Sequence, residues 1–89
     1  SMEFGADVES AVRKLGRTVE ACAQTVLVCS SRAEQNRLEQ ILGETGLTRS
    51  PSLTFCVGRV NHSFVFNEIG FALVASHEMF HRYRERREP

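Results

Sequence analysis

Thr25-Val26-Leu27-Val28-Cys29 is an unbroken apolar run, rich in β-branched residues, and it runs straight into Ser30-Ser31-Arg32-Ala33-Glu34. A short run of this kind is suited to burial on both faces of a parallel sheet, because it lacks the polar alternation of a half-solvated strand. Ser31 and Glu34 stand at capping-box spacing, in which each side chain satisfies a backbone N–H left unpaired in the first helical turn. Leu38, Ile41 and Leu42 then supply a buried helical stripe, and Gly43 or Gly46 ends it, with Gly46 the better left-handed cap. The segment predicts a strand followed by a capped helix, and a returning strand must complete the unit.

The flanking sequence fits that requirement. Val8, Ala11, Val12, Leu15, Val19 and Cys22 recur at steps of three and four, with charged residues between them, so a helix precedes the strand and Asp7 is placed to cap it. Gly16 weakens its interior by roughly 1 kcal/mol relative to Ala. After a turn at Arg49 to Ser52, Leu53 to Val57 reads as the returning strand, Phe64-Val65-Phe66 as a short extended piece, and Gly70 to Ala75 as another apolar strand. Ser76 is expected to cap a last helix that opens at His77. The order α-β-α-β-(β)-β-α predicts a small three-layer α/β unit with a mostly parallel sheet. With 89 residues there is room for one domain, taken as residues 3–89, and Ser1-Met2 reads as a cloning scar of a chain excised from something longer. Phe64, Phe66, Phe71 and Phe80 are expected in the core, because a small sheet protein without Trp needs their bulk.

Charge and cysteine content narrow the function classes. Eleven basic residues balance eleven acidic ones, which excludes a polybasic domain held to nucleic acid by bulk charge. No apolar run approaches the ~20 residues a membrane helix needs. Cys22, Cys29 and Cys56 are odd in number, lie in apolar stretches and form no CxxC pair, so they read as reduced core thiols of a cytoplasmic protein.

The sharpest local motif is His77-Glu78-Met79-Phe80-His81, an HExxH sequence. On a helix its two histidines share a face and can hold one zinc ion, with Glu78 as general base for a metal-bound water, which makes a small zinc-dependent metallopeptidase one reading. A third protein ligand is hard to find. Glu85 and Glu88 lie further along the same helix, and His62 would have to approach from an upstream loop. The motif also opens its helix instead of sitting within it. Phosphate-binding patterns are missing: Gly43-Glu44-Thr45-Gly46 lacks the following Lys of a P-loop, and no GxGxxG or GxSxG occurs. The tail carries Arg82, Arg84, Arg86 and Arg87 around Tyr83, a weak contact for nucleic acid or an acidic partner. A stand-alone α/β binding module using that tail is therefore a further alternative, against a plain solvated helix face.

Val57-Gly58-Arg59-Val60-Asn61-His62-Ser63-Phe64-Val65-Phe66, followed by Ile69 to Val74 and by His77-Glu78-Met79-Phe80-His81-Arg82-Tyr83, resembles the bacterial transcription-repair coupling factor family, Mfd. That family has a G-x-L-x-x-G-F strand and turn, an apolar strand and a D-H-E-[IL]-F-x-R-Y segment. The helix through Leu15, the run from Thr25 to Ser30 and the helix from Arg32 to Gly43 resemble its preceding segment. Ser63 stands where the family usually has Gly, and Ala75-Ser76 replaces the usual Thr followed by an acidic residue. The resemblance implies a piece of the UvrB-like N-terminal module, a degenerate helicase-like α/β domain without nucleotide motifs. It implies no catalytic residue and no cofactor in this fragment, while the parent would use ATP and Mg and would engage RNA polymerase, UvrA and DNA. On that basis the chain is expected to be a non-catalytic scaffold fragment, and HExxH a coincidence of the family's HE segment with His81. An isolated piece of a discontinuous domain leaves apolar surface bare, and dimerisation of the fragment is one consequence.

Overall fold

The structure, a computed structural model, describes residues 2–79, with side chains described from Val8 onward. Phe80, His81 and the arginines at 82, 84, 86 and 87 lie outside the described residues. Helix α1 spans Met2–Ala21, strand β1 Gln24–Cys29, helix α2 Arg32–Gly43, strand β2 Leu53–Val57, strand β3 Phe64–Phe66 and strand β4 Phe71–Ala75. A 3₁₀ turn at Leu47–Arg49 joins α2 to β2, and residues 76–79 begin a further helical turn. The expected α/β class and mostly parallel sheet are both present.

Four strands hydrogen-bond in the order β2-β1-β4-β3. β1 lies between two parallel partners, with Leu27 in register with Phe55 on one side and Val74 on the other. β3 runs antiparallel to β4 and closes that edge. The apolar run at Val26 to Cys29 is thus placed where its composition requires, in the middle of the sheet with neighbours on both sides.

Side chains in register share a face, so Leu27, Cys29, Leu53, Phe55 and Val74 all point one way. Leu15 and Val19 of α1 and Leu38 and Leu42 of α2 pack on that same face and form one core with them. Helices α1 and α2 therefore share one face of the sheet, and most of the expected last helix lies outside the described residues. The opposite face carries Val26, Cys56, Phe64, Phe66, Phe71 and Leu73, and no described helix covers it.

That asymmetry corrects several assignments to the core. Phe64 and Phe66 are half exposed, at 50% and 51%, Phe71 is intermediate, and Cys56 is exposed because it sits on the helix-free face. Only Cys29 is fully enclosed; burial, reinforced by the Glu34 carboxylate, pushes its thiol up to about 11. The start of α1 also differs, since the helix begins at Met2 and Asp7 lies within it. Its buried stripe, Ala11, Leu15 and Val19, is the one the spacing predicts.

Two glycines behave in opposite ways. Gly70, in the turn that leads into β4, has φ +66, and a Cβ there would stand 3.1 Å from the Ala23 backbone nitrogen. Its carbonyl accepts from Gln24 N–H at 3.0 Å, so the turn is locked to the start of β1. Gly16 is inside α1, where an added Cβ meets only Leu47 methyls at 3.8 and 3.9 Å. Gly16→Ala should therefore stabilise the fold by about 1 kcal/mol. Gly70→Ala should destabilise it by at least about 1–2 kcal/mol through its left-handed backbone alone. For a domain of this size each 1 kcal/mol moves Tm by about 4–8 °C, so calorimetry of the two variants should show shifts of opposite sign.

Candidate functional site at the carboxyl edge of the sheet

In open α/β sheets ligands settle beyond the carboxyl ends of the strands, where neighbouring connections part. Here that edge collects Ser30 and Ser31 after β1, Ser76 to Glu78 after β4, and the loop Gly58 to Ser63 that leaves β2. The loop must pass over the ends of β1 and β4 to reach β3 on the far side. Ser30, Ser31, His62, Ser76, His77 and Glu78 converge on this one edge.

Ser31 caps α2 as expected, its side chain accepting from Glu34 N–H at 3.1 Å. The reciprocal half of the box is displaced by one residue. The Glu34 carboxylate accepts from the Ser30 N–H at 2.7 Å and its hydroxyl at 2.8 Å, and the same oxygen accepts from the Ser76 hydroxyl at 3.0 Å. A carboxylate at the first turn of a helix is favoured electrostatically as well. Ser76 was expected to cap the last helix. It is instead fully buried, the first helical residue itself, and its hydroxyl joins the end of β4 to the start of α2.

The second half of the edge is built from His62, Ser63, His77 and Glu78. Ser63 N–H donates to one Glu78 carboxylate oxygen at 2.8 Å, and His62 Nδ1 lies 3.1 Å from the other. Ser63 Oγ accepts from Ala75 N–H at 2.9 Å, at the end of β4. Ser63 needs no left-handed backbone, because among the described residues only Gly46 and Gly70 have positive φ. Its side chain does work that a Gly at this position cannot. His77 Nε2 donates to the Val60 carbonyl at 3.0 Å. The hydrogen bonds from His62 and from the Ser63 backbone and hydroxyl, with the His62 charge adding to them, hold the Glu78 carboxyl down to about 2.

These contacts decide what the HExxH residues offer. A general base for metal-bound water works best with a pKa near the operating pH, and a carboxyl at about 2 is far from that. His77 Nε2 donates its proton to a backbone carbonyl, so in this arrangement that nitrogen offers no lone pair to a metal. Among the described residues no group of three metal-ligating side chains assembles, and the second histidine of the motif, His81, lies outside them. A shallow crease lined by Phe66 to Ile69 lies at the opposite end of β4, and it gathers none of these groups. No described helix is long and apolar enough to cross a membrane.

Glu34, Ser31, His77 and Glu78 are legible in the sequence as notable residues, and His62 does approach the motif from its upstream loop, where it meets Glu78; the expected partner His81 lies outside the described residues. Ser63 and the Val60 carbonyl were not singled out as members of the site, since 15 and 17 residues separate them from their partners. The signal for Ser63 was its departure from Gly in the pattern the chain resembles. Comparison with protein-family models, with curated proteins and with solved structures finds no match for this chain.

The Glu78 network has a definite pH signature. Its carboxyl is depressed from an ordinary 4.5 to about 2, so the stabilisation is complete above 4.5 and is lost as pH falls toward 2. Because the groups are solvent-accessible, the contribution is about 1 kcal/mol or less. Glu78→Gln should lower Tm by a few degrees at neutral pH and by progressively less as the pH drops through that window. A difference that stayed constant through the window would contradict this assignment. Thiol labelling gives a second check: Cys56 should react fast in the native protein, and Cys29 only on unfolding.

Proposed function

We propose that this chain is a non-catalytic packing element of a transcription-repair coupling factor, part of its UvrB-like module. The observation that carries the reading is the commitment of His77 and Glu78 to the Val60–Ser63 loop. The residues that look most like chemistry are used to hold a crossover in place. The positions on which the resemblance rests have the same character: Ser63 ties the loop to β4, Gly70 makes the β4 turn, and Phe64, Phe66 and Phe71 line the bare sheet face.

In this reading the parent protein is cytoplasmic, meets RNA polymerase stalled at a lesion, and displaces it by translocation on DNA driven by ATP and Mg. It then recruits excision repair through UvrA. The present chain supplies none of the motor residues. The sheet face that no described helix covers is the surface against which the rest of the module packs, as sheets with parallel strands generally require cover on both sides. Arg82, Arg84, Arg86 and Arg87, which lie outside the described residues, are the weak candidates for contact with nucleic acid or another partner.

Two measurements test the proposal. An antibody raised against the chain should detect a native product many times larger than 10.0 kDa in cells of the source organism. Peptide mass spectrometry of that product should recover a G-x-x-x-x-G-K-[ST] segment. A native product near 10.0 kDa would overturn the coupling-factor reading. Elemental analysis of the dialysed 89-residue chain separates the peptidase alternative. Zinc well below one equivalent, unchanged in His77→Ala, is expected; near-stoichiometric zinc that the substitution abolishes would establish a metal centre instead.

A further inference from the structure

The sheet ends on β3, and among the described residues nothing pairs with its outer side. Its three residues are all about half exposed, Phe64 at 50%, Val65 at 52% and Phe66 at 51%. Edge strands that stay single are commonly very short or carry Lys, Pro or a bulge; β3 is three residues long, but Phe-Val-Phe carries no charge and no Pro. We propose that β3 pairs antiparallel with β3 of a second copy of this chain, across a twofold axis through Val65, joining two four-stranded sheets edge to edge.

The order of side chains makes a second copy a self-complementary partner for this edge. About Val65 the strand reads alike in both directions, so a twofold antiparallel pairing sets Phe64 of one chain opposite Phe66 of the other, twice. No polar group is placed against a ring. Within one chain the Phe64 and Phe66 rings already stack at 6.3 Å, and Phe66 lies 6.2 Å from Phe71 on the helix-free face. Pairing carries that aromatic row across the axis without interruption. Charge raises no barrier, since the formal net charge is zero and the isoelectric point is about 6.8. The arrangement is closed, because each β3 edge is used up by the other. A three-residue strand covers less surface than a standard interface, so association is weak and concentration-dependent. Nothing in this inference depends on the coupling-factor reading.

Sedimentation equilibrium of the 89-residue chain at neutral pH provides the test. The average mass should rise with concentration from 10.0 kDa toward twice that value. Phe64→Lys with Phe66→Lys puts like charges at both opposed pairs and should hold the chain at monomer mass. Phe64→Lys with Phe66→Glu puts Lys opposite Glu across the axis and should restore the dimer. A native chain that stays monomeric at every concentration overturns the proposal, and so do two double variants that behave alike, an outcome that would point to association through another surface. Should the charged variants fail to fold, Val65→Cys with the three native cysteines replaced by Ala reads the axis directly. Mild oxidation should then give a symmetric disulfide dimer, and its absence in folded protein would equally refute the pairing.

Discussion

Parallel partners on both sides of β1 oblige the chain to travel back to the same end of the sheet twice, and most of the molecule follows from that obligation. A parallel pair cannot be closed by a tight turn. The first return is the familiar one, helix α2 between β1 and β2. The second is made by the Gly58–Ser63 loop and by β3, which runs down the far edge as a return stroke before β4 begins. The loop crosses above the ends of β1 and β4, where strand backbones would otherwise be left without partners. Gly58 N–H reaches the Cys29 carbonyl at 2.9 Å and Ser63 Oγ takes the Ala75 N–H, so both strand ends are satisfied by the crossing loop itself.

Seen this way, His77 and Glu78 belong to the architecture of the second return. A helix opening directly behind β4 presents its first side chains to whatever passes over the sheet, and here the passing segment is the loop from Val60 to Ser63. Glu34 performs the matching task on the other side of the edge, drawing Ser30 and Ser76 together across the gap between β1 and β4.

Much of this was legible in the residues. The β-branched run at β1, the Ser31 cap and the Ala11–Leu15–Val19 stripe are local patterns, and local patterns fix local structure. What the sequence did not disclose depends on pairings made at a distance. The exposure of Phe64, Phe66 and Cys56 could not be read from their apolar character, because it depends on both helices choosing one face of the sheet. The capping box was read correctly at Ser31, while the reciprocal contact falls one residue away on Ser30 and a further donor to Glu34, the Ser76 hydroxyl, lies 42 residues along the chain. For the candidate site the members on the motif and His62 on the loop were visible, while Ser63 and the Val60 carbonyl were hidden by the absence of any fixed spacing between loop and helix.

The central place of β1 also bears on how the chain reaches this state. The β1–α2–β2 unit and the β3–β4 hairpin are each contiguous in sequence, yet the ladder that unites them joins Gln24 to Phe71 and Val28 to Ala75. Closing that ladder brings together distant parts of the chain and carries most of the loop-closure entropy. Docking of the hairpin onto β1 is thus the natural late event of folding. Until it occurs, an apolar parallel strand stands with one edge open, and the interval before docking is when the chain is most exposed to pairing with the wrong neighbour.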